Sequence, residues 1–238
     1  MSMKKLIFIV LFFSCVGCLF AQGFITFKAD GIISTGELSL TQNIHSNSFS
    51  EKETLATSNV EFALTHGFLI CEDDDFSLYS LSGNIGLKHT RILGQKFPFY
   101  ESWNQRIPSP QTGANEIFSN YQIGDYLLIN NTGLTLSGEV SYYGIYIGVG
   151  VGGGLAKMKS GFVNNNSQKV TDAGFYFDAS FSAGFTLRYV KIYGQFQYSQ
   201  FAYNSVKWSA QGKKEKDFSS LRGKNLTDGV GISVVVPF

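Results

Sequence analysis

The sequence predicts an all-β fold: a closed antiparallel transmembrane β-barrel of eight strands, with short periplasmic turns and four long extracellular loops. Three observations carry this. Apolar residues recur at every second position in one segment after another, the period at which strand side chains return to the same face. Tight turns alternate with long polar connections, the asymmetry such barrels have. Only 16% of the 238 residues are charged while 15% are aromatic, with 22 Phe and 12 Tyr. An average soluble protein is roughly 25% charged, so this composition suits a surface not wholly in water.

The first residues read as an export address. Lys4 and Lys5 precede an apolar run from Leu6 to Phe13, and Phe20-Ala21-Gln22 offers a small-residue cleavage site. This is a secretory signal peptide, with cleavage expected after Ala21, leaving residues 22–238 as one barrel domain. Val16-Gly17-Cys18 half resembles a lipobox, but Cys15 stands where an aliphatic residue is usual. Of the 3 Cys only Cys71 survives cleavage, so no internal disulfide is expected.

Eight segments follow, at roughly 24–40, 58–70, 76–91, 124–140, 142–157, 173–188, 190–205 and 226–238. The first changes apolar phase near Gly36, which suggests a bulge there. The second places Val60, Phe62, Leu64, His66, Phe68 and Ile70 on one face. The third does the same with Tyr79, Leu81, Gly83, Ile85 and Leu87, and the fourth with Thr132, Leu134, Leu136, Gly138 and Val140. The fifth sets Tyr143, Ile145, Ile147, Val149 and Val151 against a glycine-rich face. The sixth is the clearest, nine alternating hits from Ala173 to Tyr189. The seventh carries Val190, Ile192, Gly194, Phe196 and Tyr198. The eighth carries Val230, Ile232, Val234, Val236 and Phe238, with Pro237 tolerated at the strand end.

Turns at Cys71–Asp75, Val140–Tyr142 and Leu187–Val190 are tight, whereas 42–57, 92–123, 158–172 and 206–225 are long. Ten strands stay open if 92–123 holds another hairpin. No window of 18 apolar residues follows the leader, so a transmembrane helix is excluded.

Alternation does not say which face is wet. The polar faces carry mostly Gly, Ser, Thr, Tyr, Asn and Gln, which suits a crowded interior better than a solvated exterior. On the apolar face, beside the tight turns, stand Phe27, Phe68, Tyr79, Tyr143, Tyr189 and Phe238, an expected interfacial girdle. Closure of the barrel removes strand edges that hydrocarbon would leave unpaired.

The last strand, with apolar residues at every second place and terminal Phe238, looks like the assembly signal of outer-membrane barrels. With the leader and long loops, the chain resembles the small eight-stranded outer-membrane class typified by OmpA, OmpX and OmpW. The resemblance is architectural, covers nearly all the mature chain and involves no side-chain motif. It implies the outer membrane of a diderm bacterium, with the surrounding lipid and the barrel-assembly machinery as partners. Its OmpW-like members imply a passage for small hydrophobic molecules.

Inward-facing charges are the candidate site. Strand phase puts Lys28, Asp30, Glu61, Lys88, Glu139, Asp178, Arg188 and Lys191 inside, where charges must pair or be hydrated. Cross-lumen pairs are expected at Lys88 and Asp178, and an ion-paired plug is favoured over a conduction path. Gly144, Gly148, Gly150, Gly152 and Gly154 line one inward face, leaving room for large neighbours or, alternatively, a small lumen.

Nothing reads as catalysis. His66 and His89 fall on the apolar face, and His45 lies in a long loop beside Ser46 and Ser48 with no orienting carboxylate evident. Glu72-Asp73-Asp74-Asp75 lacks the ligand spacing and glycine turn of a calcium loop. No metal, cofactor or catalytic residue is expected. The basic loop 206–225, with Lys207, Lys213, Lys214, Lys216, Arg222 and Lys224, offers a surface for polyanions, although a solvated loop is the simpler reading. The aromatics Phe97, Phe99, Tyr100 and Trp103 suit contact with a partner, the membrane surface or the barrel mouth. A net charge of +1 gives no support to a nucleic-acid partner. The expected function is non-enzymatic, structural or surface-interacting; the alternatives are a narrow channel or binding barrel for small hydrophobic molecules and, less favoured, an embedded lipid-modifying enzyme.

Overall fold

The computed structural model describes residues 23–44, 49–71, 79–95, 126–161, 168–171, 174–204, 206–210, 213–217 and 220–238. They form β1 (Gly23–Ile44), β2 (Phe49–Cys71), β3 (Tyr79–Gln95), β4 (Tyr126–Tyr142), β5 (Ile145–Gly161), β6 (Gln168–Thr171), β7 (Gly174–Leu187), β8 (Val190–Tyr203), β9 (Val206–Ala210), β10 (Lys213–Asp217) and β11 (Ser220–Pro237). The predicted leader, His45, the acidic run Glu72–Asp75 and the aromatics Phe97 to Trp103 lie outside the described residues.

Eight long strands close into a ring in the order β1, β2, β3, β4, β5, β7, β8, β11, with β11 returning to β1, all antiparallel. β3 pairs directly with β4 from Tyr79↔Tyr142 to Gln95↔Tyr126, so no further hairpin stands between them and the ring has eight staves. The short strands β6, β9 and β10 continue the sheet from the end of β5 and take no part in the ring. Gly23 and Phe238 both lie at the end of the barrel where the hairpin turns are short. This is called the short-turn end below, and the opposite end the long-connection end.

Two of the turns are two residues long. Tyr143 and Gly144 join β4 to β5 with φ of 47° and 77°, the left-handed pair that matches strand twist in a tight hairpin. The turn is therefore Tyr143-Gly144 rather than Val140–Tyr142, and Gly144 belongs to it and not to the inward face. Arg188 and Tyr189 join β7 to β8, with Arg188 at φ 54°.

The outer wall is apolar over one zone. On β5, Ile145, Ile147, Val149, Val151 and Leu155 all face outward and are exposed. Ile33 on β1 is 69% exposed. From Ile145 to Leu155 the strand advances ~34 Å at about 3.4 Å per residue, or ~26 Å in height at a tilt of about 40°. That is the height of the apolar band a transmembrane barrel needs.

The staves run beyond this belt. β1 and β2 stay paired from Gly23↔Ile70 to Ile44↔Phe49, so most of 42–57 is ladder and the connection itself is 45–48. Gly36 sits in unbroken register with Thr57 and with Thr227; there is no bulge. The phase change has a different cause. Above the belt the exterior meets water, so Glu37 faces out while Leu38 and Leu40, on the inward phase of β1, are 0% and 1% exposed.

Candidate functional site

The even positions of β1 and β3, the odd positions of β2 and β4, and their counterparts on the other staves turn into the barrel. An eight-stranded interior is only wide enough for side chains to fill, and here they fill it in three layers.

Nearest the short-turn end lies the first charged layer, centred on Glu139 of β4. Its Oε1 accepts from the Lys28 ammonium of β1, and its Oε2 accepts from Lys191 Nζ of β8 at 2.6 Å and from Ser82 Oγ of β3 at 3.3 Å. Lys28 Nζ is also 3.2 Å from Asp30 Oδ1, which accepts from the Tyr193 hydroxyl at 3.1 Å. Lys191 Nζ stands 4.8 Å from the Tyr146 ring centre. Tyr146 meets Tyr193 edge-on at 5.6 Å between ring centres, and its hydroxyl lies 2.8 Å from Ser182 Oγ. Two lysines face two carboxylates here, so the layer is neutral.

The second charged layer has Lys88 of β3 at its centre. Its Nζ is 2.5 Å from Asp178 Oδ1 of β7 and 3.7 Å from Glu61 Oε2 of β2. Glu61 Oε2 also accepts from Thr90 Oγ1 at 2.9 Å and Gln197 Nε2 at 3.1 Å. With one ammonium for two carboxylates, these neutral donors supply hydrogen bonds that a second cation would otherwise give. Gly152 is what makes room: a Cβ there would stand 2.9 Å and 3.0 Å from the Asp178 carboxylate oxygens and 3.1 Å from Lys88 Nζ. Gly148 likewise faces a large neighbour, a Cβ there meeting the Tyr146 hydroxyl at 2.5 Å, whereas Gly150 faces Ser180 Oγ at 2.8 Å and Gly154 the Gly133 and Thr132 backbone at 2.4 Å.

The third layer is apolar and lies toward the long-connection end. Leu38, Leu40, Leu55, Ile92, Leu127, Ile129, Ala156, Met158, Tyr176, Phe201, Tyr203 and Leu221 form one buried cluster contributed by all eight staves. Sequence phase did not bring these residues forward as a group, yet the signal is present. On strand after strand the apolar residues move from the outward to the inward positions as the connections are approached.

Between the two charged layers is a polar cavity of about 50 Å³, bordered by Lys28, Glu61, Lys88, Glu139, Tyr146 and Tyr193. A second, of about 10 Å³, lies below it beside Lys28, Glu139 and Lys191. The first has room for a few waters, since one water needs roughly 10–15 Å³ on this measure.

The structure therefore brings Lys28, Asp30, Glu61, Lys88, Glu139, Asp178 and Lys191 into the interior. Arg188 is exposed and only borders the smaller cavity from the short-turn end. It occupies the β7–β8 turn, with its guanidinium 5.1 Å from the Tyr189 ring centre. The alternation ends at Leu187, and the turn's positive φ breaks the inward phase. The two described histidines face outward: His66 Nδ1 is 3.1 Å from the Thr26 carbonyl and His89 Nδ1 is 2.8 Å from Thr132 Oγ1. On the last strand Val230, Ile232, Val234, Val236 and Phe238 all point outward, Phe238 being 79% exposed.

No protein-family model matches the chain, and no curated protein matches it in sequence. Among solved structures it is similar to the outer membrane protease OmpT of Escherichia coli, with 9% identity over 89% of this chain and 97% of that one and a TM-score of 0.46. It is also similar to Neisserial surface protein A, with 9% identity over 88% and 96% and a TM-score of 0.41. A third is the outer membrane protein OprG of Pseudomonas aeruginosa, with 8% identity over 91% and 98% and a TM-score of 0.39. What this chain shares with small outer-membrane barrels is the architecture its own strand register defines: eight antiparallel staves, a closed ring and an apolar outer belt.

Proposed function

We propose that the protein is a non-conducting, non-enzymatic barrel of a diderm outer membrane, a scaffold that holds its long connections at the cell surface. One observation carries this reading. Two charged layers and an apolar layer fill the interior, and the cavities they leave are about 50 Å³ and 10 Å³. The larger has room for only a few waters, and among the described residues the apolar cluster stands between both cavities and the long-connection end.

In this reading the buried charges fix the shape of the ring from within and conduct nothing. Of the described histidines, His66 bonds to a backbone carbonyl and His89 to the Thr132 hydroxyl on the exposed outer wall, away from the filled interior. The outward apolar residues of β11, ending at Phe238, are the proposed signal to the assembly machinery. Polyanion binding by segment 206–225 remains a proposal resting on sequence, because the side chains of 205–219 lie outside those described.

The test is conductance of the purified, refolded protein in a planar bilayer. We expect a silent membrane from protein whose heat-modifiable gel migration shows it folded. Discrete, reproducible openings would reject the scaffold reading and support the narrow-channel alternative.

A further inference from the structure

The outer wall above the apolar belt is unevenly charged. Arg91 of β3, Asn130 of β4 and Lys157 of β5 stand opposite one another in a single register row. One row nearer the belt are His89, Thr132 and Leu155, with the His89–Thr132 hydrogen bond at 2.8 Å. One row farther out are Leu93, Leu128 and Lys159, with Leu93 exposed on the outer wall. Arg91, Lys157 and Lys159 all face outward and are exposed.

Among the described residues, no Asp or Glu faces outward on β2, β3, β4, β5 or β7. The opposite wall differs. On β11, Arg222 and Lys224 share the outward face with Asp228, and Glu37 of β1 lies diagonal to Lys224 across the Ser39↔Lys224 pair. There the cations have acids beside them; on the β3–β5 wall they do not.

Height matters as much as sign. Leu155 is the last apolar residue of the belt on β5, and Lys157 is the next outward position. Two strand residues rise ~5 Å at the tilt of such barrels, which puts the cations at the level of lipid headgroups. Arg91 and Lys157 are two strands apart, ~10 Å, with the Asn130 amide between them. Arginine and lysine with amide and hydroxyl donors form a phosphate-binding set, and cations at a membrane surface are drawn to anionic lipid.

We infer that the outer wall of β3–β5 is a binding site for the phosphate headgroup of an anionic lipid in the leaflet at the long-connection end, held by Arg91, Lys157 and Lys159. The inference rests on the belt lying in a bilayer. The ligand is a lipid and not a soluble polyanion because the row adjoins the apolar wall, where an acyl chain packs while its phosphate meets the cations.

The test compares the full-length protein with R91Q/K157Q/K159Q and with R222Q/K224Q from the other wall, in neutral detergent micelles containing phosphatidylglycerol or phosphatidylcholine. Native mass spectrometry reads the bound lipid, and heat-modifiable migration shows separately that each barrel is folded. We expect the wild-type protein to retain phosphatidylglycerol over phosphatidylcholine. The triple variant should bind it about a hundredfold more weakly, at roughly fivefold for each of its three cations, and the double variant within about twofold of wild type. Equal retention by the triple variant overturns the site, as does an equal loss in the double variant. Displacement of the lipid by soluble glycerol phosphate would reassign the pocket to free phosphate esters. A chain that never acquires heat-modifiable migration would instead overturn the membrane reading itself.

Discussion

Glu139 is the residue on which the interior turns. Its two carboxylate oxygens serve Lys28, Lys191 and Ser82 from three other staves. Removing its charge takes the carboxylate from buried Lys191 and leaves Lys28 with Asp30 alone, and breaking a buried pair while leaving its partner costs about 3–5 kcal/mol. Glu139→Gln keeps the shape and one acceptor oxygen, so the loss reports charge. We expect urea unfolding in phospholipid vesicles to show a destabilisation of that size. Ser82→Ala, which removes only a 3.3 Å hydrogen bond, should cost about 1 kcal/mol. An unchanged midpoint for Glu139→Gln would mean that water in the adjoining cavity already satisfies the lysines.

At the scale of the element, β1 shows what alternation can and cannot tell. Its apolar residues shift phase near Gly36, yet its register with both neighbours is continuous. A register slip and a change of solvent produce the same string of letters, because hydrophobicity records only the contrast between faces. The two differ in their consequences. With no bulge, Leu38 is inside and Glu37 outside, so Leu38→Ala should cost about 2–5 kcal/mol and Glu37→Ala less than about 0.5 kcal/mol. Equal costs in thermal or urea unfolding would restore the bulge. The same logic sorts the rest of the chain. β7 was legible from sequence because its outward face stays apolar along the strand, with Phe175, Phe177, Phe181 and Phe185 all exposed. The inward charges were legible from strand phase, except Arg188, whose turn conformation alternation cannot register. The apolar layer around Leu38, Ile129 and Phe201 was not, because each strand supplies only one or two of its members and only the closed ring gathers them.

At the scale of the whole molecule, the ring is turned inside out along its axis. Within the belt it is apolar outside and charged inside; beyond the belt the outside is mixed, Arg91, Lys157 and Lys159 standing with exposed Leu93, while the inside is apolar. The boundary follows the register, passing Leu155 on β5, Thr132 on β4 and His89 on β3, which places the hydrocarbon edge without reference to any lipid. That placement can be measured. An arginine on the lipid face of such a barrel costs about 2–4 kcal/mol at the bilayer midplane and about 0–1 kcal/mol at the interface. Val149 lies near the middle of the exposed apolar run on β5 and Leu155 at its upper end. In urea unfolding from phospholipid vesicles, Val149→Arg should therefore be destabilised by about 2–4 kcal/mol and Leu155→Arg by no more than about 1 kcal/mol. The two sites share a strand, a face and a similar exposure, 59% and 52%, so the difference reports depth alone. Should Leu155→Arg prove as costly as Val149→Arg, the hydrocarbon would extend past the boundary drawn from register, and Arg91 and Lys157 would lie inside it instead of at its edge.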